Sequence, residues 1–213
     1  MKRRVPALLM TSALALGALS ATAPASAQAA PGEDSLAGLL TSDGNQFDKN
    51  KNDFDIVTEA ALAVVAAKPG TPVALLADGT QRLTVFAPTD QAFRLLVKDL
   101  TGQTVKSEKK IFDSLVALAG VDTIETVLLY HVVPGKTLTS GKVLKADGAK
   151  LATAAAGATV KVKVRTKPKL SITLKDKDRD DRDPKVVLSA LDLNKGNKQI
   201  AHGIDRVLRP INL

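Results

Sequence analysis

The chain has 213 residues, with 30 Lys and Arg against 22 Asp and Glu, no cysteine and no tryptophan. Without cysteine, disulfides, thiolate nucleophiles and a lipid-anchored amino-terminal cysteine are excluded, so packing alone must hold the fold. A formal charge of +8 with only six aromatic residues leaves few platforms for stacking bases, which argues against nucleic acid as a partner.

Lys2, Arg3 and Arg4 precede an apolar run from Val5 to about Ala21, and Ala25-Ser26-Ala27 supplies small residues for cleavage. Residues 1–27 are therefore expected to be a secretory signal peptide using the general route, with the Arg3-Arg4 pair keeping the twin-arginine route open. The run is short for a bilayer span of about twenty residues, and no second run of that length follows, so no stable membrane span is expected after cleavage. About 186 residues remain, enough for one domain with a sizeable core. Residues 28–34 read as a linker and 35–213 as the domain, which keeps a mild basic excess once Lys2, Arg3 and Arg4 are removed.

In chain order, Ser35 is placed to cap a short helix carrying Leu36, Leu39 and Leu40 before Asp43-Gly44. Ile56, Val57, Ala60, Ala61, Val64 and Val65 recur on one helical face, and Pro69-Gly70 stops the run. Arg82 to Ala87 has strand character. Pro88-Thr89 then opens a helix with Asp90 in its first turn, where negative charge suits the helix dipole, and Ala92, Phe93 and Leu96 form its inner face. A helix from Ser107 places Ile111, Phe112, Leu115 and Leu118 on one side and ends at Gly120. Asp122 with Glu125 has the spacing of a capping box for a short helix through Leu129.

Beyond Pro134-Gly135 the period changes. Val160, Val162 and Val164 alternate with Lys161, Lys163 and Arg165, and the parity resumes at Leu170, Ile172 and Leu174. This predicts a hairpin turning at Thr166 to Lys169 with its even positions buried. Val186 to Leu188 and Gln199 to Ala201 supply later strands around the turn-like Asn194-Lys195-Gly196-Asn197. Helices first and strands later give an α+β class without the alternation of a parallel sheet.

No catalytic constellation emerges. There is no G-x-S-x-G and only two histidines are present to serve as base. Pro134-Gly135-Lys136-Thr137 imitates the end of a phosphate loop, but Tyr130 stands where its first glycine belongs. Asp48, Asn50, Asn52 and Glu59 fall at positions one, three, five and twelve of a calcium loop, while position six is Asp53 instead of glycine. The segment reads as a polar start to the following helix, with calcium as the alternative. Asp176, Asp178, Asp180, Asp181 and Asp183 are interleaved with Lys175, Lys177, Arg179 and Arg182, which reads as a solvated loop in preference to a metal site. No metal and no cofactor are expected. Lys161, Lys163, Arg165, Lys167 and Lys169 would share the outward side of the hairpin as a basic stripe, either a solvated face that discourages edge pairing or a surface for anionic polymers. His131 and His202 lie in apolar sequence and are expected to be hydrogen-bonded interior residues.

Three segments occur in a specific order: Thr84 to Phe93 (with Phe86, Pro88, Thr89 and Asp90), Tyr130-His131-Val132-Val133-Pro134-Gly135, and Ile204 to Pro210 (with Asp205) following His202. Together they resemble the fasciclin-like (FAS1) domain family, the single-domain secreted bacterial type. Thr84, Phe86, Pro88, Thr89, Asp90, Phe93, His202 and Asp205 match its structural motifs. Two departures are Lys198-Gln199, where an Asn-Gly pair often opens the final motif, and Gly203, where the family usually has an apolar residue. The resemblance implies a β-wedge of two sheets with helices packed against it, and a secreted, non-enzymatic role in cell adhesion or extracellular protein–protein and matrix contacts. The partner implied is an extracellular protein or a cell-envelope component. It also implies an adhesive epitope at Tyr130 and His131. If both lie in a strand, however, their side chains point to opposite faces and cannot form one patch. His131 is therefore expected to be buried, bonding a backbone group near the Pro134-Gly135 turn.

Overall fold

A computed structural model describes residues 32–211; the expected signal peptide and most of the linker lie outside the described residues. Five helices and six strands follow: α1 (Leu36–Leu40), α2 (Asp55–Ala67), β1 (Leu83–Pro88), α3 (Asp90–Thr101), α4 (Glu108–Tyr130), β2 (Val132–Pro134), α5 (Ser140–Leu144), β3 (Lys150–Ala152), β4 (Thr159–Arg165), β5 (Ser171–Lys175) and β6 (Gln199–Ile204), with 3-10 turns at Pro72–Ala77 and Leu188–Ala190. The class is α+β, as the sequence predicts. No described helix is long and apolar enough to cross a membrane.

The strands form two three-stranded sheets, ordered β2-β1-β6 and β3-β4-β5. β1 runs antiparallel to β2 but parallel to β6, pairing Leu83 with Gln199 through Pro88 with Ile204. The sequence pattern does not reveal this parallel pair, because the return to β1 comes from the far end of the chain and leaves no local periodicity. Every residue of β1 and β6 is buried. On one side Phe86 and Ile204 join Val160, Val162, Ile172 and Leu174 of the second sheet. Elsewhere α2, α3 and α4 bury Ile56, Val64, Phe93, Val97 and Ile111 together.

Local chemistry explains where the helices begin. Ser35 Oγ accepts from Gly38 N at 3.1 Å, as its capping role predicts. At α2 the cap comes from elsewhere in the chain. Phe54 at the N-cap has no side-chain acceptor, and Asp90 Oδ1, in the first turn of α3, accepts from Ile56 N at 3.0 Å. α4 contains a break at Gly120, whose φ of 69° and ψ of 167° separate two helices at the residue where the sequence places the stop. Asp122 and Glu125 form no capping box; both bind Lys68 at the end of α2, Asp122 at 2.8 Å. A lysine that far off in sequence outcompetes the local backbone donor.

The hairpin register pairs Val162 with Leu174 and Val164 with Ile172, with the predicted parity buried at Val160, Val162, Ile172 and Leu174. Two apolar positions depart from expectation. Leu170 is 38% exposed because the strand pairing stops at Ser171, and Leu118 is 58% exposed because the break at Gly120 carries the end of the first half-helix away from the core. Val186 to Leu188 is not a strand. Val186 makes a single bridge to Ile204, and Leu188 begins the 3-10 turn.

The described part of the expected linker is tied to β6. Lys198 N donates to Gly32 O at 2.9 Å, Leu36 N donates to the buried Gln199 Oε1 at 2.7 Å, and Gln199 Nε2 donates to the carbonyls of Leu75 and Asp78. Gln199 thus gives the departure from Asn-Gly a use, bonding two segments at once. The strap crosses Gly79 so closely that a Cβ there would lie 1.7 Å from Glu33 O.

Gly203 has a similar cause. A Cβ at Gly203 would lie 2.7 Å from Ala190 Cβ and 3.3 Å from Phe54 Cζ, since the 188–190 turn packs directly on β6. Gly203→Ala should therefore lower the melting temperature by several degrees, from an overpacking cost of about 1–3 kcal/mol. The double variant Gly203→Ala/Ala190→Gly should recover most of it in thermal denaturation.

Candidate functional site

Tyr130 closes α4 and His131 is its C-cap, so neither lies in a strand. The helix extends further than its period suggests because Leu128 and Leu129 carbonyls accept from the His131 cap N–H. Both side chains are shut from solvent, Tyr130 at 0% and His131 at 2% exposure. Tyr130 donates its hydroxyl to Thr159 O at 3.1 Å, and burial pushes its phenol up to about 12. His131 Nδ1 lies 2.7 Å from Val127 O, and Leu208 N donates to Nε2 at 2.9 Å. A carbonyl on one side and an N–H on the other fix the neutral Nδ1–H tautomer. The expected backbone bond exists, but it joins α4 to the carboxy-terminal segment instead of the Pro134-Gly135 turn.

His202 is the mirror case. Nε2 donates to Leu138 O at 2.7 Å and Nδ1 accepts from Asp192 N at 3.2 Å, giving the neutral Nε2–H form. Its ring lies 6.0 Å from that of Phe86, its partner in the β1–β6 register. Burial holds both imidazoles below their ordinary range, His131 at about 4. Each ring has spent both nitrogens on backbone groups, so neither can serve as a base or a ligand.

The other motif residues are similarly occupied. Thr84 Oγ1 donates to Lys136 O at 2.7 Å and accepts from Leu138 N at 2.9 Å, holding the segment between β2 and α5. Asp205 Oδ1 accepts from Lys185 N at 2.6 Å. Thr89 is the N-cap of α3 through backbone geometry, with no side-chain bond, while Pro88 ends β1 and Phe93 packs between α2 and α4.

The outward face of the second sheet holds the basic residues. Lys161, Lys163 and Arg165 alternate with the buried valines of β4, and all three are exposed. Lys167 and Lys169 are exposed on the turn beyond the strand and do not continue its face. The sheet adds residues that the linear stripe omits. Lys161 stands opposite Lys150 on one side and Lys175 on the other, a row of three ammonium groups across three strands. Lys163, Arg165, Lys175 and Lys185 line a depression of about 230 Å³ together with Ser171 and Thr173. The acid there is Asp183, paired with Lys175 at 2.9 Å. Lys175 has the odd parity of Lys161, so extending the alternation one step would have found it; Lys150 and Lys185 arrive only through pairing.

The charged loop after β5 is not the solvated segment expected. Asp178 is buried against Arg209 at 3.1 Å, Arg209 also binds Asp99 at 2.8 Å, and Arg206 binds Asp181 at 2.9 Å. Burial raises Asp176 to about 6, and its Oδ2 accepts from Arg209 N. The loop therefore clamps the carboxy-terminal segment to α3. An apolar cavity of about 380 Å³ lies between α3 and the two halves of α4 and is lined by Leu96, Leu100, Phe112, Leu118 and Val127.

Set beside known proteins, the fasciclin domain family model matches residues 59–210. The chain belongs to the fasciclin domain family, a family of adhesion domains, and its α+β architecture is the FAS1 fold. A FAS1 domain pair from the insect cell adhesion molecule fasciclin I is similar at 17% sequence identity and a TM-score of 0.48, covering 72% of this chain and 46% of that one. This chain thus spans about half the length of that pair. No curated protein matches.

The buried histidine carries a pH signature. The folded value near 4 lies below the unfolded value near 6.5, so the unfolded chain binds the proton first as pH falls. The stability that His131 contributes is complete above about pH 6.5 and is lost progressively towards pH 4, on the order of 3 kcal/mol in all. His131→Gln should melt several degrees below the wild type at pH 7.5. That gap should shrink as melts are repeated down to pH 4, a difference that subtracts the opposing effects of buried carboxyls common to both proteins.

Proposed function

We propose that this chain is a secreted, non-enzymatic binding module working in cell adhesion or other extracellular contacts through its outer surface. The family supports the adhesive class. The observation that carries the reading is that both histidines, the two groups best suited to proton transfer near neutral pH, are buried with every ring nitrogen bonded to backbone. The 1–27 segment, with its basic start, apolar run and Ala25-Ser26-Ala27, supports export. The burial of Tyr130 and His131, 0% and 2% exposed, speaks against them as the contact surface.

A second reading, an anionic cell-envelope polymer as the partner, is favoured by the Lys150-Lys161-Lys175 row. Like charges directly opposite one another across a sheet are destabilising, and a polyanion laid along the strands would relieve them. Such contacts are exposed and therefore screened by salt.

Purified protein lacking residues 1–27 should be retained on intact cells of the parent organism and turn over none of a panel of ester, peptide and glycoside substrates. Measured turnover would overturn the binding-module reading. For the polymer, retention on isolated anionic wall material should fall at least about tenfold between about 50 mM and about 300 mM salt. The triple variant Lys150→Gln/Lys161→Gln/Lys175→Gln should lose it while melting no lower than the wild type. Salt-independent retention unchanged in that variant would remove the polymer and leave protein contacts on another face.

A further inference from the structure

Three helices of this fold carry an acid in the first turn: Asp55 in α2, Asp90 in α3 and Glu108 in α4. Singly, each acid is explained by its own helix, whose N-terminus favours negative charge. Helix chemistry does not ask for the rest. The loop before α2 adds Asp48 and Asp53, so that one oxygen each from Asp53, Asp90 and Glu108 lie within 4.8 Å of one another, as do one each from Asp48, Asp53 and Asp55.

The loop is held there by backbone bonds. Asp90 N donates to Asp53 O at 3.1 Å and Gln91 N to Lys51 O at 2.8 Å, while Asp48 N donates to Glu108 Oε2 at 2.6 Å. Among the described residues, the one ion pair made by these five acids is Glu108 with Arg94, at 2.6 Å. Asp90 is 0% exposed, and its Oδ1 is used by Ile56 N, but its Oδ2 has no hydrogen-bond partner. Asp53 Oδ1 is buried and without a partner as well. Buried acceptors that meet no donor cost free energy unless a cation or proton lies between them.

We propose that Asp53, Asp90 and Glu108, extended by Asp48 and Asp55 on the other side of Asp53, form a calcium site that ties the 48–53 loop to the starts of α2, α3 and α4. Calcium takes six to eight oxygens at about 2.3–2.6 Å, so its ligand oxygens span up to about 5 Å across the ion, the spread of each trio. Magnesium binds at about 2.0–2.1 Å in strict octahedra and suits a tighter, better-defined cage. The ligand set is not the linear loop pattern of the sequence. Glu59, at position twelve of that pattern, accepts instead from Asn45 Nδ2, and its place is taken by Asp90 and Glu108 from later helices. A proton shared between Asp53 and Asp90 is the competing occupant, because burial, with Asp53 beside it, pushes the Asp90 carboxyl up to about 8.

The test uses the purified chain stripped with EDTA at pH 7.5, with calcium chloride or magnesium chloride added in titration calorimetry and thermal denaturation. Calcium should bind one-to-one with a Kd of about 10⁻⁴–10⁻³ M, typical of extracellular modules, and raise the melting temperature by several degrees at about 10 mM, with magnesium giving a much smaller shift. Asp90→Asn keeps an oxygen for Ile56 N, and Asp53→Asn sits on the loop, so both variants should fold. Each should weaken calcium at least about tenfold, while Asp113→Asn, an exposed acid elsewhere on α4, should leave it unchanged. Absence of heat and of any melting shift in the wild type at about 10 mM calcium overturns the site, and a higher-melting Asp90→Asn in that case assigns the space to the shared proton. Calcium binding that both variants leave untouched overturns it equally.

Discussion

The structure depends on the parallel pairing of β1 with β6. Six residues on each strand, Leu83 to Pro88 and Gln199 to Ile204, are wholly buried, so the pair can exist only when material covers both faces. The second sheet, with Tyr130, covers the Phe86 side, and Leu36 of α1 packs with Val85 and Ala201 on the other. Parallel pairing also requires the chain to travel a long way before it can form, so the segments between the two strands must be folded around them instead of beside them.

The two histidines show how such a core accommodates polar groups. An imidazole buried without partners would be expensive, yet each here replaces a missing backbone bond at a junction between elements: α4 with Leu208 for His131, and the 138 and 192 loops for His202. Opposite tautomers follow from opposite partners. The same logic governs Gln199, Asp178 and Arg209, polar groups held inside because each bonds segments distant from it along the chain. Most of the hydrogen-bonding capacity of these residues is used by the architecture, in contrast to Asp90 Oδ2 at the start of α3, which has no partner.

Charge is unevenly spread over the fold. Basic groups gather on the outer face of β3, β4 and β5, where three lysines align across the strands. Acids gather where α2, α3 and α4 begin, with Asp55, Asp90 and Glu108 buried. A chain with a modest overall excess of positive charge thus presents two locally extreme regions. Net charge alone could not have shown either of them.

By itself the sequence determined what is local. Helical periodicity marked α2 and α3, glycine at 120 marked the break in α4, and alternation gave the correct buried parity of β4 and β5, because these depend on residues within one or two turns of each other. The motif order identified the family for the same reason, being a string of adjacent residues. The tertiary structure decided what depends on distant partners: that β1 meets β6 in parallel, that Tyr130 and His131 close a helix inside the core, that Asp90 caps a helix other than its own, and that Gly203 leaves room for Ala190. The basic stripe divides along the same line. Alternation exposed Lys161, Lys163 and Arg165, but only strand pairing could set Lys150 and Lys175 beside them, since a cross-strand neighbour has no fixed distance along the chain.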